Sequence, residues 1–274
     1  MSDIGNRTFG EHRELAGFAQ NVAERAGRLI RRLREERTIH EFTKDGGFEL
    51  VTSADLASNE VIREATSRHT PEAQYFSEEG DTIPVDWSKP AWVVDPIDGT
   101  VNYVYGQTHV AIAIAYVVHG EVQVGVVHAP FQGETFVAVR NEGAALNGVQ
   151  LGSRQTASLE RALISTGFPH HHQDMGTMLT RLARVMSSCS DIRRLASPAL
   201  DICWVAAGRL DAAYETLRPW DVAAAGLIAR ECGVLRGHYD EHSNEPPELC
   251  GENVVFARDG LFEALLRVLQ LEPQ

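Results

Sequence analysis

No apolar stretch of this chain is long enough to cross a bilayer: the longest, Val110 to Val118, has nine residues, against the roughly 20 a spanning helix needs. The opening MSDIGNRTFGEHRE lacks a basic segment followed by an apolar one. No secretory signal is therefore legible, and a cytoplasmic protein is expected. Cysteine is scarce. Cys189, Cys203, Cys232 and Cys250 lie 14, 29 and 18 positions apart, which fits neither a CxxC zinc pattern nor a disulfide framework and predicts reduced, mostly buried thiols. Basic charge is in short supply too, with 25 Lys and Arg against 38 Asp and Glu, a formal net charge of −13. That balance opposes attraction to nucleic acid and to anionic membranes, and neither is an expected partner. There is no internal repeat, no low-complexity tract and no Gly/Ser linker. What remains is 274 residues, 43% of them hydrophobic, enough for one large domain or two small ones around a real core.

The apolar spacing orders that core. From about Glu11 to Arg37, Leu15, Phe18, Val22, Ala26, Leu29, Ile30 and Leu33 recur every three or four residues, an amphipathic helix with a charged outer face. A second helix is expected to start after Thr52-Ser53, whose hydroxyls cap well, and to run to about His69. Two helices thus precede any sheet. AWVVD (91–95) reads as a buried strand ended by Pro96. VAIAIAYVV and EVQVGVV read as a hairpin turning at His119-Gly120, with GETFVAV beside them. Beyond about Gly148, strand-like ALIST, DAAYE and NVVFA alternate with helical segments at Met175–Ser188, Pro198–Ala207, Asp221–Cys232 and Leu261–Leu271. The expectation is a layered α/β fold: an antiparallel N-terminal half, residues 1–150, and a βα C-terminal half, residues 151–274, forming one compact unit.

The chemistry concentrates in WVVDPIDGTVNY, residues 92–103. A strand stops at Asp95, Pro96 fixes the turn, and Asp98-Gly99-Thr100 opens a helix whose free N–H groups suit a phosphate. On its own, DPIDG is equally a strand-to-helix turn with Asp98 as the N-cap. Glu78-Glu79 at the end of a strand and Asp221 at the start of an Ala-rich helix have similarly bland readings as a solvated turn and a helix cap. If these acids converge, however, they require a cation, because several carboxylates cannot share a pocket ionised without one. Oxygen ligands with no His or Cys beside them in sequence favour Mg²⁺.

The order of ELVTSAD (49–55), FSEEG (76–80), WVVDPIDGTVNYVYG (92–106), RNEGAALNG (140–148), STGFP (165–169) and PWDVAAAGLIARECG (219–233) resembles the inositol monophosphatase family across nearly the whole chain. That resemblance implies the alternating α/β/α/β/α sandwich shared with fructose-1,6-bisphosphatases. It also implies a lithium-sensitive, Mg²⁺-dependent phosphatase with two or three ions, acting on inositol monophosphate or a related sugar or polyol phosphate. It makes Glu78, Asp95 and the Ile97 carbonyl ligands of one ion, and Asp95, Asp98 and Asp221 ligands of a second, with Glu79 beside them. Thr100, with Asp55 behind it, and Glu78 would activate the attacking water, while the Gly99 and Thr100 amides hold the phosphate. Ser197 and Glu215 would face the hydroxyls of the leaving group, with Asp98 and Asp221 also lining the substrate site. Lys44 occupies the position of a family lysine near the metals, or is a surface residue. Family members commonly form homodimers, for which the first helix or the hairpin offers apolar surface.

Departures from the family lie around the substrate. LASPALD stands where a Gly-Ser-Ala-Ala-Leu-Asp type run is usual, so Ala196 and Pro198 are substitutions that predict a reshaped pocket. Val234 follows Gly233 where a second glycine is common, and Gly237–Cys250 is unusually polar, which reads as loop variation or a partner surface. His170, His171 and His172 invite a metal-site reading, but consecutive residues do not readily turn three rings onto one ion, and a solvated loop is expected. Histidinol phosphate and fructose 1,6-bisphosphate remain alternative substrates. A protein-binding regulatory role with weak phosphatase activity is the alternative of another class.

Overall fold

The amphipathic spacing of the first helix has a direct structural counterpart. In the computed structural model, which describes residues 9–37, 40–43, 50–80, 84–152, 158–168 and 175–270, α1 (Phe9–Glu35) buries Leu15, Ala19, Val22, Ala26 and Ile30. Between α1 and α2 (Ser53–His69) lies a two-stranded antiparallel ribbon, β1 (Glu41–Thr43) with β2 (Leu50–Thr52), which the helix-first expectation missed. Three-residue strands are too short to carry a periodic signal. Thr52 is the N-cap of α2, its hydroxyl accepting from the Ala54 and Asp55 amides.

Seven strands form the first sheet, in the order β3 (Gln74–Ser77), β4 (Ala91–Asp98), β5 (Ala111–Val118), β6 (Glu121–Ala129), β7 (Glu134–Val139), β8 (Gly143–Leu146) and β9 (Val149–Gln150). It is antiparallel throughout except for the parallel pair β3/β4, so it is mixed where a purely antiparallel half was expected. His119 and Gly120 both take positive φ at the β5–β6 turn, the geometry whose twist matches a two-residue hairpin. A one-turn helix, α3 (Thr100–Val104), follows β4. The second sheet has the order β11 (Asp191–Arg193), β10 (Leu163–Thr166), β12 (Ala212–Glu215), β14 (Val254–Arg258) and β13 (Val234–His238), with parallel and antiparallel pairs. Its helices are α4 (Met175–Met186), α5 (Pro198–Ala207), α6 (Pro219–Glu231) and α7 (Phe262–Leu269).

The apolar clusters define the layers. Ile112, Ile114 and Tyr116 of β5 pack with α1, while Ala111, Ala113 and Ala115 on the opposite face of the same strand join α5 and α6. The same central cluster takes Ala213 and Phe256 from the second sheet, and a third, around Leu265 and Leu269 of α7, covers that sheet's other face. The result is α/β/α/β/α, with α5 and α6 between the sheets. The small-large alternation AIAIAY sets the spacing: alanine faces alanine on the α6 side, so helix and sheet approach closely. A Cβ on Gly125 of β6 would lie 2.6 Å from the Ala224 carbonyl oxygen. The apolar face of α1 is buried inside the subunit, and β5 is buried along its whole length. Among the described residues no helix is long and apolar enough to cross a membrane. The four cysteines are free, and Cys203, Cys232 and Cys250 are buried.

Candidate active site

β4 continues past Asp95 to Asp98, three residues beyond the expected stop, and a bulge makes the difference. Asp95 pairs with Ala113 and Asp98 with Ala111, so β4 carries one residue more than β5 between the two pairs. In a regular strand, side chains three apart face opposite sides; the extra residue turns Asp98 to the side of Asp95. Pro96, without an N–H, sits where no ladder bond is required of it.

Asp98 is not a helix cap. Its Oδ2 accepts from Ser197 Oγ at 2.6 Å and from the Leu200 amide at 3.3 Å, across a hundred residues of chain. The residue that caps α3 is Gly99, at φ +93°. A Cβ there would stand 2.9 Å from the Ala196 carbonyl oxygen and 3.1 Å from that of His109, so no side chain fits. Asp221 is the third residue of α6, and one of its oxygens accepts from the Arg218 amide at 2.7 Å. One oxygen each from Asp95, Asp98 and Asp221 lies within 4.8 Å of the others. Asp95 and Asp98 are 2% exposed; Asp221 is half-buried.

The electrostatics are those of a cation site. Burial first, and then the charges of Glu78, Asp98 and Asp221, push the Asp95 carboxyl well above the ordinary range. Burial lifts Asp98 to about 7 against the lowering bonds from Ser197 and Leu200. It lifts Asp221 to about 7 as well, with Asp98 adding to it. Carboxyls held this way retain protons at neutral pH unless a cation replaces them. The donors are all oxygen, with no His or Cys among the three acids, which fits a hard divalent ion.

Thr100 Oγ lies 3.0 Å from Asp55 Oδ1 and 3.1 Å from the Ile97 carbonyl, and its single proton serves one acceptor at a time. The other oxygen of Asp55 accepts from the Thr52 amide at 2.8 Å and from the Thr52 hydroxyl. Burial raises Asp55 to about 6, against those bonds. Glu78 and Glu79 are half-buried; the first adds its charge to Asp95 and the second to Asp55. Glu215 is half-buried against Gly167, where a Cβ would collide with its carboxylate, and it borders a cleft of about 180 Å³ with Phe168, Arg181 and Tyr239. Burial raises its carboxyl well above the usual range, with Asp201 and Asp221 next.

The fold also uses residues that sequence reading passed over. Asn102 Nδ2 reaches the carbonyls of His109 at 2.7 Å and Leu195 at 2.6 Å, tying α3 to the loop that presents Ala196 and Ser197. His109 Nε2 and Asp201 Oδ1 are 2.7 Å apart, and Ser165 Oγ bonds the other Asp201 oxygen. Asn102 lies within WVVDPIDGTVNY, the run that stands out for Asp95 and Asp98, whereas nothing local marks His109. Ala196 has φ +60°, and Pro198 occupies the first turn of α5, where a missing N–H leaves no bond unmade. Lys44, His170, His171 and His172 lie outside the described residues.

Residues 11–270 match the model of the inositol monophosphatase family. The Nus factor SuhB of Pasteurella multocida (strain Pm70) is 37% identical over 223 residues, covering 81% of this chain and 84% of that protein. Among solved structures, the extragenic suppressor protein suhB from Bartonella henselae has a TM-score of 0.85 at 30% identity, covering 95% of this chain and all of its own. An IMPase/NADP phosphatase complexed with Mg²⁺ and phosphate has a TM-score of 0.78 at 26% identity, with 90% of this chain and 91% of that one covered. The chain belongs to the inositol monophosphatase family. Its structural neighbours include phosphatases.

Proposed function

We propose that this protein is a Mg²⁺-dependent hydrolase of small phosphate monoesters, with inositol monophosphate or a related sugar or polyol phosphate as substrate. The observation that carries the reading is the meeting of Asp95, Asp98 and Asp221 within 4.8 Å. Mg²⁺, two or three ions with Glu78 and the Ile97 carbonyl as further ligands, supplies positive charge over the transferring phosphoryl group and the leaving oxygen when bound. The rest is work for the protein's own groups. Asp55 Oδ2 is saturated by Thr52, so Oδ1 is free to hold the Thr100 proton. Thr100 Oγ then offers a lone pair to the attacking water and passes its proton to Asp55, whose pKa near 6 suits a base at neutral pH. Glu78 takes the same role from the half-exposed side, and Glu79 stands behind it.

The Gly99 and Thr100 amides, at the start of α3, hold phosphate oxygens. Ser197 keeps Asp98 oriented and Glu215 accepts hydroxyls of the leaving alcohol. Residues 1–150 and 151–274 act as one unit in this reading, since Asp221 comes from the second half. A cytoplasmic location, lithium inhibition and a homodimer belong to the same proposal and are supported by the family resemblance. The test is phosphate release from a panel of inositol, sugar, histidinol and fructose bisphosphate esters, with Mg²⁺ and with chelator. Mg²⁺-dependent turnover of a polyol monoester is expected, and silence across the panel overturns the reading. A protein-binding role is the second reading, favoured by the designation of relatives as Nus factors. A stable protein complex formed by a catalytically silent, Mg²⁺-saturated chain would be its mark.

A further inference from the structure

The polar segment after β13 brings together donors of a different kind. His238, the last residue of β13, His242 in the following loop and Cys250 ahead of β14 each offer one atom within 4.8 Å of the others. The two imidazole rings are 4.0 Å apart between centroids, inclined by 32°. Their hydrogen bonds define which nitrogen is bare. His238 Nδ1 is 2.6 Å from the Glu252 carbonyl and His242 Nδ1 is 3.0 Å from the Ser243 carbonyl. A carbonyl only accepts, so each Nδ1 carries the proton and each Nε2 keeps its lone pair, the arrangement that orients metal-ligating histidines.

The surroundings agree. Cys250 is 1% exposed and free, with Ser243 Oγ at 3.7 Å and the Ser243 carbonyl at 3.8 Å. Arg236 donates to the Cys250 carbonyl, which fixes the backbone that carries the thiol. In a tetrahedral Zn²⁺ site the N···N and N···S separations are about 3.3–3.6 Å, within side-chain rotation of what is present. Two imidazoles and a thiolate suit Zn²⁺ and not Mg²⁺.

We propose that His238, His242 and Cys250 form a Zn²⁺ site, with solvent in the fourth position, whose three protein ligands tie residues 238–250 onto the edge strand of the second sheet. It shares no ligand with the Asp95–Asp98–Asp221 cluster. The loop's departure from the family's sequence thereby acquires a role.

Cobalt titration of the chelator-treated full chain tests this. Co²⁺ is expected to develop a near-ultraviolet thiolate-to-cobalt charge-transfer band that saturates at one equivalent, is bleached by Zn²⁺ and is unaffected by excess Mg²⁺. His242→Ala, at an exposed position that leaves the fold intact, is expected to weaken Co²⁺ and Zn²⁺ binding at least about 10-fold, and Cys250→Ser to abolish the band. Asp95→Asn is expected to leave it unchanged. No band at saturating Co²⁺, wild-type affinity in His242→Ala, or loss of the band in Asp95→Asn overturns the proposal.

Discussion

Asp95 sits among like charges, with Glu78, Asp98 and Asp221 all raising its pKa beyond the effect of burial. Replacing it with Asn removes a repelling charge and a ligand together. Asp95→Asn is therefore expected to melt no lower than wild type in chelator, to lose the stabilisation that Mg²⁺ gives wild type, and to lose at least about 100-fold in activity. Thermal melts with and without Mg²⁺, beside an assay, check all three. Thr100 separates differently, because its hydroxyl serves proton transfer more than cation binding. Thr100→Val is expected to lower kcat about 100-fold or more while retaining the Mg²⁺-induced shift in Tm. At Ala196, φ +60° is a conformation in which a Cβ costs about 1–2 kcal/mol. Gly gives back part of that through the entropy of the unfolded chain, so Ala196→Gly is expected to stabilise by about 0.5–1 kcal/mol in denaturant titration.

Two local devices aim the elements. The β4 bulge puts Asp95 and Asp98 on one side, and close contact between β6 and α6 fixes the height of Asp221. A side chain at position 125 meets the Ala224 backbone at 2.6 Å, which cannot yield without moving the helix. Gly125→Val is expected to destabilise by about 1–3 kcal/mol and to weaken Mg²⁺ binding as well, read by melts and by Mg²⁺ titration. Undiminished Mg²⁺ affinity in a folded variant would contradict the coupling of α6 to the site. WDVAAAG is thus more than good helix composition, since its alanines permit the approach that delivers the aspartate.

For the molecule as a whole, the raised carboxyls link folding to pH and metal. Asp98 and Asp221 move from an ordinary value of 3.8 to about 7 on folding. The metal-free fold accordingly binds more protons than the unfolded chain between those values. The stability contributed by these two groups is fully present below about pH 4 and is lost as pH rises through about 7. In chelator, Tm is expected to fall over that interval, and Mg²⁺ is expected to raise Tm more at pH 8 than at pH 5. The net charge of −13 acts in the same direction. Phosphate affinity is expected to vanish in chelator, because the anion then meets a cluster of acids in an acidic molecule.

Hydrophobic period and residue chemistry alone determined much of this protein. The α1 and α2 helices, the hairpin at His119-Gly120 and the βα texture after residue 150 were legible in the chain, because each depends on neighbours a few positions away; the acids were candidates there, joined into one set only by the family resemblance. Tertiary structure decided the rest. Short β1, β2 and β11 carry no period of their own and exist because partners complete their hydrogen bonds. The bulge that aligns Asp95 with Asp98 depends on pairing with β5, and the Ser197–Asp98 bond spans 99 positions. His109 acquires its place only through Asp201, 92 residues away. Convergence of charges is a property of distance in space, and a sequence records only distance along the chain.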